Sequence, residues 1–458
     1  MNVHVVKRKD KRRELKPERV LALGFLSLIV LGTLLLMLPV ATQSGKSLSL
    51  FDSLFTATSA VCVTGLVAVD TGTVFSGFGQ AVLLVLIQVG GLGFMAFATL
   101  IMSALGIRTS LRDKLLLRES MNTSSISGLV YLTKRYGFIA LLIELTGASL
   151  FAIRFVPMYG AGKGLWFSVF HAVSAFCNAG FDLNGNFSSL TAFHADPLVL
   201  LTASTMVILG GLGFPVEFEL VQKRFQWKKL SVHSRVVLLM TGALLLVGTL
   251  FFACMEWGNP RTLGANDASA GEKILNAFFQ SMTMRTAGFN SVDLDGMTSA
   301  SKLFSAILMF IGASPASTGG GVKTTTVAAV LLLVCATIQG REKVNLMHRR
   351  LPMELLTRAL AIVTISMTVL LGATVAIAAI EQESVSLINV LFEIASAVAT
   401  VGVSAVGTPN FHLASRALII PIMYLGRVGP LTLALALANK AKNYQNKVTL
   451  PEESIMIG

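Results

Sequence analysis

Charge is scarce in this sequence. Asp, Glu, Lys and Arg make up 13% of its 458 residues, too few to clothe a soluble fold of this size. Acid is scarcer than base: 24 Asp and Glu stand against 37 Lys and Arg, for a net charge of +13. Cysteine is nearly absent. Cys62, Cys177, Cys254 and Cys335 form no CxxC pair, which excludes a disulfide framework and a thiolate metal site and leaves packing as their expected role. The six histidines (His4, His171, His194, His233, His348 and His412) are scattered, and no HExxH occurs. With no nucleophile–base pair or metal cluster in the spans, the chain is not expected to be an enzyme. Gly160-Ala161-Gly162-Lys163-Gly164 fails the spacing of a phosphate-binding loop, so no nucleotide site is expected in this chain.

What the sequence has is apolar length. Hydrophobic residues make up 53% and the mean hydropathy is +0.72, the composition of a polytopic membrane protein. A spanning helix needs roughly 20 apolar residues. Eight stretches qualify: 18–41, 79–105, 136–155, 197–221, 235–255, 303–339 with an interruption, 357–380 and 414–438. The first is too long for a signal-peptide core and reads as a retained helix. Lys and Arg gather before the first stretch and in every second loop: Lys7 to Arg19, Arg108 to Arg135, Lys223 to Lys229, Arg341 to Arg350, and Lys440 to Lys447. The positive-inside rule then places both termini in the cytoplasm. Topology accounts for the basic charge, and nucleic acid is not an expected partner.

Four short stretches end alike, at Gly65, Gly180, Gly288 and Gly402, each with a phenylalanine ten residues earlier: Phe55, Phe170, Phe278 and Phe392. The interval of roughly 110 residues marks four copies of one membrane unit. Each unit reads as a long helix, a short half-helix, a Gly-ending loop and a second long helix. The half-helix is too short to span, as in residues 51–60, where Asp52 or Ser53 can cap its start. Irregular backbone at membrane depth is tolerated where it lines an aqueous cavity or is buried in protein. A half-helix entering from outside aims its C-terminal end inward, with roughly −0.5 of an elementary charge. Four such ends favour a dehydrated cation, and loops that need a permissive residue suggest a ring of carbonyls. Because each unit crosses twice, all four share one orientation and can surround an axis along the membrane normal, unlike inverted repeats. The expected fold is therefore all-α, with four tandem units in pseudo-fourfold array around a central pore. The boundaries fall at 1–17 for a cytoplasmic N-terminal segment, then 18–115, 116–225, 226–345 and 346–458 for the repeats. Gly90-Gly91-Leu92-Gly93 and Gly210-Gly211-Leu212-Gly213 fit either helix packing or close approach to the half-helices.

These loops, Val63-Thr64-Gly65-Leu66, Asn178-Ala179-Gly180-Phe181, Thr286-Ala287-Gly288-Phe289 and Thr400-Val401-Gly402-Val403, resemble the filters of the Trk/Ktr/HKT superfamily of K⁺ transporters. Over nearly the whole chain the resemblance is nearest to the membrane subunit of bacterial Ktr systems, because the first unit starts near Pro17 with no extra helices before it. Relatives that favour Na⁺ often carry serine at the first filter glycine; Gly65 implies K⁺ as the transported ion. A Na⁺-coupled symporter with alternating access is the alternative reading.

The resemblance also implies a gating loop within the second helix of the third repeat, at Gly312-Ala313-Ser314-Pro315-Ala316-Ser317-Thr318-Gly319-Gly320-Gly321-Val322-Lys323. Proline and three consecutive glycines independently predict a break there. In the fourth repeat the sequence Gly426-Arg427-Val428-Gly429-Pro430 sets an arginine inside an apolar span, where a charge is usually functional. Family precedent places Arg427 against the loop, below the filter. Glu144, His171 and Glu393 are expected to bond nearby backbone or half-helix ends, with ion attraction as the alternative. Arg285 is expected to point away from the carbonyls and brace its loop. As partners the resemblance implies a second copy of the chain in a homodimer, and a cytosolic nucleotide-binding RCK ring of the KtrA type docked on the basic inner loops.

Overall fold

The computed structural model describes residues 17–105, 114–117, 129–265, 268–341, 343–382, 384–429 and 432. The basic N-terminal segment before Pro17, Arg108, Arg112, Arg118, Pro430 and the C-terminal basic stretch with Lys440, Lys442 and Lys447 lie outside them. The chain is a polytopic all-α protein of four tandem units in pseudo-fourfold array about a central pore.

The first unit comprises α1 (Pro17–Leu36), the half-helix α2 (Leu50–Cys62), α3 (Gly77–Leu92) and α4 (Phe94–Ala104). The second repeats this as α5 (Leu129–Tyr159), half-helix α6 (Ala161–Phe176), α7 (Pro197–Leu212) and α8 (Phe214–Gln222). The third is α9 (Val232–Glu256), half-helix α10 (Ala270–Thr283), α11 (Ser299–Phe310) and α12 (Thr324–Ile338). A short antiparallel hairpin, β1 (Asn345–Leu346) with β2 (Arg349–Arg350), leads to the fourth: α13 (Met353–Glu381), half-helix α14 (Leu387–Ala399) and α15 (Leu413–Val428). The opening helices α1, α5, α9 and α13 are each long and apolar enough to cross a bilayer. They face outward with exposed leucines, among them Leu34, Leu142, Leu246 and Leu371. The half-helices are the core: nine of the thirteen residues of α2 are buried.

Half-helix starts follow local sequence. Ser49, rather than Asp52 or Ser53, caps α2: its Oγ accepts the Asp52 N–H at 3.0 Å. Ser269 and Glu272 form a reciprocal capping box at α10. The glycine-rich run at 160–164 is the turn into α6. Gly160 (φ +79°) caps that helix, and the Lys163 ammonium lies over the Tyr159 and Phe167 rings.

The expected unbroken spans at 79–105 and 197–221 are in fact broken. α7 and α8 meet at 97°, and the hinge, Gly213, has φ +93°. Gly93 (φ +80°) separates α3 from α4 in the same way, and Gly429 (φ +93°) ends α15; of the remainder of the expected span to 438, only Thr432 is among the described residues. These are left-handed conformations that glycine alone adopts cheaply. In the third unit the whole of 311–323 intervenes between α11 and α12. The second helix of every unit thus stops at an equivalent place, leaving its last carbonyls without intrahelical partners.

Candidate ion pathway

The four glycine loops share one backbone signature. Gly65, Gly180, Gly288 and Gly402 have φ of +91°, +68°, +86° and +98°, and the residue two before each is left-handed too: Val63 (55°), Asn178 (57°), Thr286 (69°) and Thr400 (52°). In the first, second and fourth loops the intervening N–H groups fold back onto the half-helix. Val63 donates to the Ala60 carbonyl and Thr64 to Ser59, Asn178 to Ala175 and Ala179 to Ser174, Thr400 to Ala397 and Val401 to Ser396. With the donors turned back, the loop carbonyls are free to face elsewhere.

They lie against the glycines of neighbouring units in a closed circuit. A Cβ added at Gly65 would collide with the Ala179 oxygen, one at Gly180 would lie 3.0 Å from Ala287 O, one at Gly288 2.7 Å from Val401 O, and one at Gly402 would collide with Thr64 O. Each glycine therefore abuts the carbonyl preceding the next unit's glycine, and the fourth unit returns to the first. Leu66, Phe181, Phe289 and Val403, which follow the glycines, are all buried.

A buried hydroxyl supports each loop. Ser59 Oγ accepts the Gly65 N–H and Ser396 Oγ the Gly402 N–H, both at 3.0 Å. Ser174 Oγ donates to Phe181 O at 2.6 Å, and Thr283 Oγ1 donates to Phe289 O. Sequence reasoning assigned these residues no role, although serine stands six before the glycine in three of the four copies. The third copy is shorter by one residue. There the Ala287 N–H reaches Thr283 O, five residues before the glycine, and the fully buried aromatic is Phe279. Phe278, taken from the fixed offset of ten, is only half-buried. Removing both serine hydroxyls, as Ser59→Ala with Ser396→Ala, leaves two buried N–H groups unpartnered at about 1–3 kcal/mol each. The expected result is a folded protein with weakened cation discrimination, read as competition between K⁺ and Na⁺ in flux assays.

The loop 311–323 lies against the end of this ring formed by Val63, Asn178, Thr286 and Thr400. Its stems pair: Gly312 N–H donates to Val322 O at 3.0 Å and Ala313 N–H to Gly320 O at 3.2 Å. Its tip meets three units in turn. Thr318 Oγ1 is 3.0 Å from the Phe176 and Gly210 carbonyls and 3.4 Å from the Asn178 amide. A Cβ on Gly319 would collide with Thr286 Oγ1, and one on Gly320 with Thr400 Oγ1. In the first unit Val63 packs on Gly90 instead. Broken helix α7 supplies acceptors: Gly210 O takes the Thr318 N–H at 3.1 Å and Gly211 O the Ser314 N–H at 3.0 Å. Ala316 O in turn accepts the Phe214 N–H, the first of α8. Pro315, with no N–H, leaves no donor to satisfy at the turn.

Two cations hold the loop. Lys323 Nζ donates to Gly319 O at 2.7 Å. Arg427 donates through Nη1 to Thr318 O and through Nη2 to Gly90 O, with Gly91 O at 3.1 Å. Arg427 lies in the last turn of α15, where a cation suits the helix dipole. The Gly-Gly-Leu-Gly motifs thus serve both close approach and hydrogen bonding. Gly90, Gly210 and Gly426 each abut the carbonyl four before their unit's ring glycine, at Val61, Phe176 and Val398.

Other buried polar groups lie outside the ring. Glu144 accepts from the Gln88 amide at 2.8 Å, so its partner is a side chain and not backbone. Glu393 accepts from Ser404 and Thr408 at 2.5 and 2.7 Å, tying α14 to the chain beyond its loop. His171 Nδ1 is 2.8 Å from its own helix carbonyl, Phe167 O. The Arg285 guanidinium points away from the ring to Thr241 on α9, at 3.3 Å. Cys62 and Cys177 are buried free thiols, and a Cβ on Gly91 would meet the Cys177 side chain. Among the described residues no group of three or more His, Cys, Asp and Glu is placed to hold a metal.

The TrkH family, described as cation transport protein, matches residues 8–446. The chain is 40% identical over 444 residues to Ktr system potassium uptake protein B of Bacillus subtilis (strain 168), covering 96% of this chain and 97% of that one. It is 38% identical over 455 residues to the protein of the same name from Vibrio alginolyticus, covering 98% and 97%. Potassium/sodium uptake protein NtpJ of Enterococcus hirae is 37% identical over 455 residues, covering 99% and 100%. The crystal structure of the potassium transporter TrkH from Vibrio parahaemolyticus superposes with a TM-score of 0.71 over 94% of this chain and 87% of that one. At 18% identity that likeness bears on the fold alone.

Proposed function

The chain belongs to the TrkH family of cation transport proteins, and we propose that it is the K⁺-translocating membrane subunit of a bacterial uptake system. Its work is movement of an ion rather than catalysis. The observation that carries the reading is the closed circuit of glycines and carbonyls from Gly65 through Gly402. Carbonyl oxygens can replace the hydration shell of K⁺, and four half-helix C-termini add favourable potential. Val63 to Leu66, Asn178 to Phe181, Thr286 to Phe289 and Thr400 to Val403 form the filter. Gly312, Pro315, Thr318, Gly319, Gly320 and Gly321 form the gate, with Lys323 and Arg427 as its ties.

Relatives named for potassium and for potassium/sodium uptake support K⁺ as the cargo and leave Na⁺ as a second ion to test. The common orientation of the four units favours a gated, channel-like path over alternating access. The partners are a second copy of the chain and a cytosolic nucleotide-binding RCK ring on the basic inner loops. K⁺ flux in proteoliposomes, with and without such a ring, tests the reading. Flux that follows the K⁺ gradient and rises with the ring supports it; uphill uptake at fixed Na⁺ stoichiometry overturns it in favour of a symporter.

Orientation has its own test. The Lys and Arg asymmetry places both termini in the cytoplasm. A cysteine near Lys114 should label only from inside, and one near Asn184, just past the second ring loop, only from outside. The reverse pattern would invert the half-helices and remove the reading.

A further inference from the structure

A cavity of about 380 Å³ lies beside the loop 311–323. Three cationic residues line it, Lys323 from the end of the loop, Arg358 from α13 and Arg427 from α15, and no Asp or Glu is among its described lining residues. Lys323 and Arg427 donate hydrogen bonds to carbonyls, which do not cancel their charge, and like charges in an apolar setting repel strongly. One helix adds to the imbalance. The start of α12 reaches this wall at Thr325 with no side-chain cap, which adds positive potential; α8 starts there too, at Phe214, but carries Glu217 in its first turn. The rest of the wall mixes hydroxyls, among them Ser317, Thr326 and Ser366, with an apolar side that includes Phe25 from α1 and Leu132 from α5.

We infer that this cavity binds a phosphate-bearing anion. Charge complementarity selects the class: a phosphate group offers oxygens to Arg358 and the start of α12. Two sources carry that chemistry, an anionic lipid, whose chains would lie on the apolar wall, and free phosphate from the cytosol. Arg358, exposed on α13, is the recruiting residue, since it makes no part of the loop's hydrogen bonding. An anion here also offsets the positive potential that a cation meets on leaving the ring.

The experiment reads binding directly, so its outcome does not depend on the transport reading. The full-length chain, purified in a neutral detergent, is titrated with phosphatidylglycerol or phosphatidylcholine and examined by native mass spectrometry. Phosphatidylglycerol should be retained at about tenfold lower concentration than phosphatidylcholine. Arg358→Gln should erase most of that difference, Arg358→Lys should keep it, and Lys163→Gln, at the start of α6, should leave it unchanged. Displacement by millimolar inorganic phosphate identifies the free anion as an occupant; retention against it identifies the lipid. Equal retention of the two lipids with no inorganic-phosphate adduct on the wild-type chain, or an equal loss in Arg358→Gln and Lys163→Gln, overturns the site.

Discussion

Serine at Gly65 should lower the preference for K⁺ over Na⁺ by roughly tenfold or more, a change of at least about 1.4 kcal/mol. Two physical effects coincide at that position. Gly65 has φ +91°, a conformation that costs an L-residue about 1–2 kcal/mol. Its missing side chain also leaves the space that the Ala179 carbonyl fills. A serine Cβ must therefore displace a carbonyl of the next unit, and the ring loses its geometry at two units. Gly288→Ser should act alike, because its Cβ would lie 2.7 Å from Val401 O and 2.6 Å from the Gly180 Cα. Flux of K⁺ against Na⁺ in proteoliposomes, from monodisperse protein, is the readout. Unchanged selectivity in both variants would remove the ring from the ion path.

Shortening the loop 311–323 should raise K⁺ flux by about an order of magnitude and blunt its response to the cytosolic partner. The tip at Thr318, Gly319 and Gly320 lies against Asn178, Thr286 and Thr400, so removing several loop residues clears one end of the ring. Arg427→Ala should move flux the same way but less. It frees Thr318 O from one donor, while Lys323 and the Gly210 and Gly211 carbonyls still hold the loop. Selectivity should stay near wild type in both, because the ring carbonyls are untouched. A deletion that alters neither rate nor partner response would make the loop a kink and put the gate elsewhere.

The fourfold plan was legible because each copy must solve the same backbone problem. A left-handed glycine ends every half-helix loop, and that requirement is written as an invariant residue at a near-constant interval. The loop at 312–323 was legible through Pro315 and the glycine triplet, which no continuous helix tolerates well. The one-residue shift in the third copy was not, since counting back from Gly288 cannot tell where α10 ends; Phe279 and Thr283 mark it only once the Ala287 N–H is seen on Thr283. The breaks at Gly93 and Gly213 were hidden because a hinge glycine and a packing glycine look alike in an apolar run. The partners of Arg427 were out of reach for another reason. They are main-chain carbonyls of two other units, which leave no trace in side-chain identity. The serines at 59, 174 and 396 were visible in the alignment, but only their contacts give them a task.

The central claim is that K⁺ passes through the ring closed by Gly65, Gly180, Gly288 and Gly402. Its most direct test is the position of the ion itself, by anomalous diffraction from crystals of the full chain grown with Tl⁺ or Rb⁺ in place of K⁺. The account predicts a peak on the pseudo-fourfold axis, ringed by the carbonyls of Thr64, Ala179, Ala287 and Val401. Bound ions found only away from that axis, with none at the ring, would contradict it.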